Sequence, residues 1–229
     1  MQCENLVSIS DLKLEDINDL FTSTAEMKAS LQKGGVDHCL AGKTLAMIFE
    51  KSSMRTRVSF EVAMTQMGGH AIYLTKHDIN LGERESIKDV AKVLSRYVDC
   101  ITIRTYDHET VVELADCSSV PVVNALSDYT HPCQALTDLY TIREKKGSLD
   151  NIKIAYIGDG NNVAKSLALL CAKLKVSYTA ASPENYELTA EFLQEATEAT
   201  KGSSKCIELI RDPKEAVKDA DVIYTDTWI

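Results

Sequence analysis

The sequence predicts an α/β protein of two domains, each a parallel β-sheet flanked by helices, the second one incomplete. Two observations carry this. Short apolar runs of strand length alternate with longer segments of helical periodicity along nearly the whole chain. The alternation then restarts after Lys145-Lys146-Gly147-Ser148, where charge and turn residues cluster, which divides the chain into residues 1–147 and 148–229. Right-handed crossovers place the strand C-terminal ends on one edge of each sheet, and ligands of such sheets bind outside that edge.

Taken in order, Ile9, Leu12, Ile17, Leu20, Phe21, Met27 and Leu31 recur at helical spacing, so residues 9–32 read as a helix that Lys33-Gly34-Gly35 ends. Thr44 to Phe49 is an uninterrupted apolar run and reads as a buried strand. Ser52 and Ser53 are N-cap residues for a helix from Met54 to Gly68-Gly69. His70 to Leu74 follows as a strand, Thr75 to Glu85 as a polar loop, and Ser86 caps a helix to Tyr97. Asp99 to Arg104 reads as a strand, Asp107 to Asp116 as a helix and Val120 to Val123 as a strand. After a loop over 124–131, a long helix starts near His131, with Pro132 at its first position, and ends at Gly147. The second domain reads as strand 152–157, helix 162–173, strand 176–180, helix 183–200, strand 206–210, a brief helix 212–218 and strand 221–224.

Composition excludes several classes. Of the 229 residues, 45% are hydrophobic and 26% charged, as in ordinary globular domains, and the apolar runs are too short to span a bilayer. A formal charge of −9 argues against broad binding to nucleic acid or an anionic membrane, so an anionic ligand must be captured by a local basic cluster. Met1-Gln2-Cys3-Glu4-Asn5 has neither signal-peptide nor transit-peptide order, and a cytoplasmic protein is expected. The seven cysteines form no C-x-x-C pair and mostly sit in apolar runs, as small, reduced core residues; no zinc pattern and no other metal site is expected.

Phe49-Glu50-Lys51-Ser52-Ser53-Met54-Arg55-Thr56-Arg57 is the most informative stretch. A strand followed by a helix start aims unpaired N–H groups and the positive end of the helix dipole at one spot. Two arginines in a first turn oppose that dipole, a local conflict that an anionic ligand would resolve. With Ser53 and Thr56 beside them, the stretch reads as an anion site, most simply for phosphate. Other strand ends add to it. Arg104-Thr105 offers a second guanidinium and His131 an imidazole, while Asp159, Asn161-Asn162 and Asp226 follow strands of the second domain. A cleft between the domains, cationic on one side and carboxylate or amide on the other, suits an anionic substrate and an amine. Gly158-Asp159-Gly160 has the start of a dinucleotide fingerprint, but Val163 stands at the third glycine, which leaves a nicotinamide enzyme a distant alternative.

Together, Phe49 to Arg57, Arg104-Thr105, His131-Pro132-Cys133-Gln134 and Gly158-Asp159-Gly160-Asn161-Asn162 resemble the aspartate/ornithine carbamoyltransferase family, and its ornithine branch most. The resemblance implies that Ser53, Met54, Arg55 and Thr56 bind carbamoyl phosphate. It implies the same of Arg104, His131 and Gln134, which hold the carbamoyl group and phosphate. Asn162 and Asp226 would bind the amino acid, L-ornithine, and Arg55, Arg104 and His131 would serve catalysis. It further implies a trimer or a multiple of trimers, with a neighbour's loop (about residues 76–85) closing over each site, and no cofactor. Putrescine or an N-acylated ornithine as acceptor, or an inactive carbamoyl phosphate-binding homologue, are the alternatives.

Four departures from the family pattern stand out. Met54 replaces a common Thr, Asn80 precedes Leu81-Gly82 where Gln is common, and Lys165 stands where a neutral residue or His is usual. An aspartate-specific member is expected to carry a lysine in the closing loop, where this chain has Arg84. The family pattern continues past Asp226 with a Ser-Met-Gly loop, a His-Cys-Leu-Pro segment and a closing helix. With Ile229 as the last residue, the sequence reads as C-terminally truncated, and little turnover is expected of it.

Overall fold

The computed structural model describes residues 4–79, 85–200 and 206–227. By their contacts the residues form two compact units, Met1–Val7 with Asp11–Asp128 and Ser8–Ser10 with Tyr129–Ile229.

The first unit holds helix α1 (Leu14–Gln32), strand β1 (Thr44–Phe49), α2 (Met54–Gln66), β2 (His70–Thr75), α3 (Lys76–Ile79), α4 (Ile87–Leu94), β3 (Cys100–Arg104), α5 (His108–Cys117) and β4 (Val122–Leu126). Its four strands pair in the order β2-β1-β3-β4, all parallel. Strand β1 shows why the sequence run is unbroken. Ala46 and Ile48 join Ile101 and Ile103 against Val90, Val111 and Leu114 of α4 and α5. Leu45, Met47 and Phe49 face the other way, onto Met64 of α2. Side chains alternate across a strand, so a strand covered on both faces must be apolar at every position.

The second unit holds α6 (Pro132–Lys146), β5 (Lys153–Ile157), α7 (Asn162–Leu174), β6 (Ser177–Ala181), α8 (Ala190–Ala199), β7 (Ile207–Ile210), α9 (Pro213–Ala216) and β8 (Val222–Tyr224). The parallel order is β7-β6-β5-β8. Nine of the thirteen residues of α7 are buried, and Tyr178 reaches from β6 to donate to the Ala164 carbonyl at 3.3 Å. Helix α6 packs on α7 and ends at Gly147, whose φ of +84° a glycine adopts without strain and whose N–H closes on the Arg143 carbonyl.

Four elements differ from the sequence expectation. The helix expected over 9–32 is two pieces, a 3₁₀ turn at Ile9–Asp11 and α1, because Lys13 is extended and Asp16 bonds back to its N–H at 3.0 Å. The polar loop expected over 75–85 starts with the short helix α3, whose Asp78 accepts from the Thr75 N–H and hydroxyl; residues 80–84 of that expected closing loop lie outside the described residues. The strand expected at 120–123 runs later, over Val122–Leu126. The helix expected over 183–200 begins only at Ala190, where Thr189 caps it, and Asn185, at a φ of +68°, interrupts the start of the expected run.

Candidate active site

Strand order locates the sites. From β1 the chain winds outward to β2, then returns to the other side of β1 for β3 and β4, so the winding reverses between β1 and β3. In the second unit it winds from β5 to β6 and β7, then crosses back to place β8 on the other side of β5. At such a reversal the flanking loops splay apart beyond the strand ends and leave a crevice. The loops concerned are 50–53 with 104–106 in the first unit, and 158–161 with 225–227 in the second. Seven of the nine sequence-selected residues follow from these four loops or from the helix starts they feed.

In the first unit, Ser53 is the N-cap of α2. It is extended, with φ −159° and ψ 117°, and its hydroxyl oxygen accepts from the Thr56 N–H at 3.3 Å while bonding the Thr56 hydroxyl at 3.0 Å. The cap leaves the N–H groups of Met54 and Arg55 at the helix mouth, without carbonyls of their own helix to pair with. Met54 projects outward, 77% exposed, so it offers its backbone and not its side chain. Beside this mouth the β3 end is tied in. The Arg104 carbonyl accepts from the Glu50 N–H at 2.9 Å, the Arg104 Nε donates to the Lys51 carbonyl at 3.2 Å, and Thr105 donates to the Glu50 carboxylate.

The two arginines of the motif have different circumstances. Arg57 is committed along its own helix, bonding Glu61 at 3.0 Å and lying 3.8 Å over the Tyr73 ring. Arg55 makes no such pairing among the described residues, and its charge acts on Arg104. Burial first, and then the Arg55 charge, lower the pKa of the Arg104 guanidinium. Two cations, one in the first turn of a helix and one at the neighbouring strand end, make a local setting that favours an anion.

In the second unit, His131 stands at the N-cap of α6, and its N–H donates to the Ser166 hydroxyl at 2.8 Å. Ser166 also meets the Thr130 hydroxyl at 2.8 Å and donates to the Asn162 carbonyl at 2.8 Å. The turn that carries His131 is thereby fastened to the first turn of α7. Gln134 lies on the first turn of α6 and donates from Nε2 to Asp138 at 2.9 Å. Lys165 places its ammonium 4.4 Å over the Tyr129 ring, whose hydroxyl donates to Glu195; burial lowers the Lys165 pKa, and the Glu195 charge opposes that.

Asn161, not Asn162, caps α7: its Oδ1 accepts from the Val163 and Ala164 N–H groups at 2.9 and 3.0 Å. Its Nδ2 reaches two carboxylates, Asp159 at 3.1 Å and Asp226 at 3.3 Å. One amide therefore gathers two acids at the β5–β8 reversal, which makes the spot attractive to an ammonium group. Asn162 is the first residue of α7, adjacent to this cluster in sequence and half-buried. Sequence reasoning missed Asp138, Ser166 and Tyr224. Asp138 had one available signal, its place four residues after Gln134 on a helix.

Three kinds of similarity bear on this arrangement. The family model described as aspartate/ornithine carbamoyltransferase, carbamoyl-P binding domain, matches residues 4–144, and its Asp/Orn binding domain partner matches residues 150–229. The ornithine carbamoyltransferase of Bacillus subtilis (strain 168) is 51% identical over 225 residues, covering 98% of this chain and 69% of the relative. That of Pyrococcus abyssi is 52% identical over 225 residues, covering 98% and 71%. Among solved structures, ornithine carbamoyltransferase from Pyrococcus furiosus superposes with a TM-score of 0.95 at 49% identity, over 99% of this chain and 72% of that one. The Thermus thermophilus enzyme gives 0.89 at 39% identity, over 100% and 75%.

Proposed function

The chain belongs to the aspartate/ornithine carbamoyltransferase family, and from that premise we infer that it transfers the carbamoyl group of carbamoyl phosphate to the δ-amine of L-ornithine, giving L-citrulline and phosphate. The observation that carries the reading is the charge of Arg55, in the first turn of α2, acting on the guanidinium of Arg104, with neither side chain in an ion pair among the described residues. In this reading the N-terminus of α2, Ser53, Thr56 and both arginines hold the phosphate. As the uncharged amine attacks the carbonyl carbon, charge gathers on the carbonyl oxygen and then on the departing phosphate. Cationic donors aimed at those atoms stabilise the transition state more than the ground state; removing one such donor typically costs roughly 100- to 1,000-fold in rate. His131 donates to the carbonyl oxygen and Gln134 binds the carbamoyl amide.

The acceptor follows from the second unit. The Asp159–Asn161–Asp226 cluster supplies the negative charge that an α-ammonium needs, and Asp226 is assigned to it, with Asn162 beside it. The relatives named above are all ornithine carbamoyltransferases, and one close relative from Pyrococcus furiosus, 51% identical, is described as anabolic, which supports a role in arginine biosynthesis. We assign residues 1–147 to carbamoyl phosphate binding and 148–229 to the amino acid, a division supported by the two family matches meeting between 144 and 150, although by their contacts residues 129–147 group with the second unit.

A trimer is proposed as the working assembly. Met54, Val58 and Val62 stand at i, i+4 and i+8 on α2 and are 77%, 51% and 45% exposed, an apolar stripe of the kind that a second copy covers. A cytoplasmic location is proposed on two supports. Among the described residues, no helix is long and apolar enough to cross a membrane and no disulfide joins the cysteines.

The test is calorimetric titration of the chain with carbamoyl phosphate, beside Arg55→Ala. Hydrogen bonds to charged groups are worth roughly 1.5–3 kcal/mol, so the variant is expected to bind roughly ten- to a hundredfold more weakly. A folded chain that does not bind, or binding indifferent to Arg55→Ala, overturns the reading.

A further inference from the structure

Asp138 lies on α6, one helical turn after Gln134, and uses both carboxylate oxygens inside the second unit. Oδ1 accepts from Gln134 Nε2 at 2.9 Å and Oδ2 accepts from the Tyr224 hydroxyl at 2.9 Å. Tyr224 is itself held, its ring stacked on the buried Tyr156 with centroids 5.8 Å apart and planes 20° from parallel. A carboxylate gripped at both oxygens by donors on two elements cannot rotate without losing a bond.

We propose that Asp138 is a positioning residue that fixes which end of the Gln134 amide faces the substrate. The inference rests on the carbamoyl phosphate reading above. A primary amide has a donor end and an acceptor end, and an ionised carboxylate accepts only. Asp138 therefore claims the NH₂ end of Gln134 and leaves Oε1 as the end that meets the ligand. A carbamoyl group, unlike a bare phosphate or acyl phosphate, carries an –NH₂ that must donate. An unanchored glutamine would present either end, and its NH₂ end would face the carbamoyl –NH₂ donor to donor. The fixed orientation selects for the carbamoyl amide.

The same carboxylate links two parts of the chemistry. Tyr224 ends β8 two residues before Asp226, so Asp138 ties the helix turn bearing the carbamoyl-binding amide to the strand end bearing the acceptor-binding acid. Burial pushes the Asp138 carboxyl up, the Gln134 and Tyr224 bonds pull it down, and the Asp226 charge adds to the upward push. Both partners donate, which is the pattern an ionised carboxylate requires.

The test compares two ligands that differ in the amide. Affinities for carbamoyl phosphate and for inorganic phosphate are measured by calorimetry on the chain, Asp138→Leu, Asp138→Asn, Gln134→Ala and the Asp138→Leu/Gln134→Ala double variant. Asp138→Leu is expected to weaken carbamoyl phosphate roughly tenfold while phosphate binding stays unchanged. Asp138→Asn, which keeps an acceptor oxygen for Gln134, restores most of that loss. In the Gln134→Ala background the Leu substitution adds nothing, because it acts through the missing amide. If Asp138→Leu does not fold, Tyr224→Phe, which removes one of the two grips, is expected to give the same ligand-selective loss at roughly twofold. Equal losses for both ligands, or a loss that persists without Gln134, overturn the inference and leave the functional reading intact. Failure of the parent chain to bind carbamoyl phosphate overturns both.

Discussion

Arg104 donates from Nε to the backbone carbonyl of Lys51 at 3.2 Å, which fastens the guanidinium that ends β3 to the loop that leaves β1. One edge of the planar fork is thus spent on the protein, and the remaining N–H groups are held in a fixed direction. The β1–β3 reversal puts these two strand ends side by side.

A lysine at this position keeps the charge but loses the arrangement. Its ammonium is a point donor and cannot hold the Lys51 carbonyl through one face while presenting a fork through another. Arg104→Lys is therefore expected to weaken carbamoyl phosphate roughly tenfold with little change in stability. Titration calorimetry beside a thermal melt checks this. Wild-type affinity in Arg104→Lys would mean that charge alone matters at this strand end.

Ser53 makes a separable contribution. Its hydroxyl caps α2 through the Thr56 N–H, and in the proposed reading it also contacts the phosphate. Ser53→Ala is expected to cost about 1 kcal/mol in denaturant unfolding, the usual loss for such a cap. Ser53→Asp restores the cap but adds a negative charge, so it is expected to recover stability and lose phosphate binding. Joint recovery of both would show that no anion binds at that helix mouth.

Much of this was legible in the sequence because the deciding patterns are local. The β1 run, the Ser53 cap and the Gly147 stop each appear in the structure where periodicity and cap chemistry put them. What was not legible depends on distant backbone. Strand order sets the β1–β3 and β5–β8 reversals, and no local window encodes it. The separation of Arg55 from Arg57 depends on Tyr73, a β2 residue. The partner that fixes Gln134 was visible as an i+4 acid, but its second grip comes from Tyr224, 86 residues further on.

Gly160 is the clearest instance of a pattern with another cause. In Gly158-Asp159-Gly160 the second glycine of a dinucleotide fingerprint would let a pyrophosphate approach the backbone. Here a Cβ at residue 160 would lie 2.5 Å from the Glu187 carbonyl oxygen and 2.6 Å from the Leu188 nitrogen, while the Gly160 N–H donates to the Tyr186 carbonyl at 2.6 Å. The space is filled by the chain's own segment 186–188. Gly160→Ala must displace backbone, and it is expected to cost on the order of 1–3 kcal/mol, as overpacking does. Urea unfolding measures it, and a neutral substitution would show that this segment yields.

The carboxylate of Asp138 gives stability a pH dependence of definite sign. Burial is the largest cause of its shift and raises its pKa above the ordinary 3.8. The native state therefore holds this proton more tightly than the unfolded chain does. Between the ordinary value and the raised one, the folded protein binds more protons, so stability falls as pH rises through that window. Below the window both states are protonated and above it both are ionised, so the contribution is flat at either side. Asp138→Asn removes the titration while keeping the size of the side chain. The stability of the variant relative to the parent is thus expected to improve as pH rises through the window, then to level off. Chemical denaturation of both proteins at a series of pH values from about 3 to 7 gives the difference directly. A flat difference would mean that Asp138 titrates as an exposed carboxylate, and the opposite slope would mean that its two hydrogen bonds outweigh its burial.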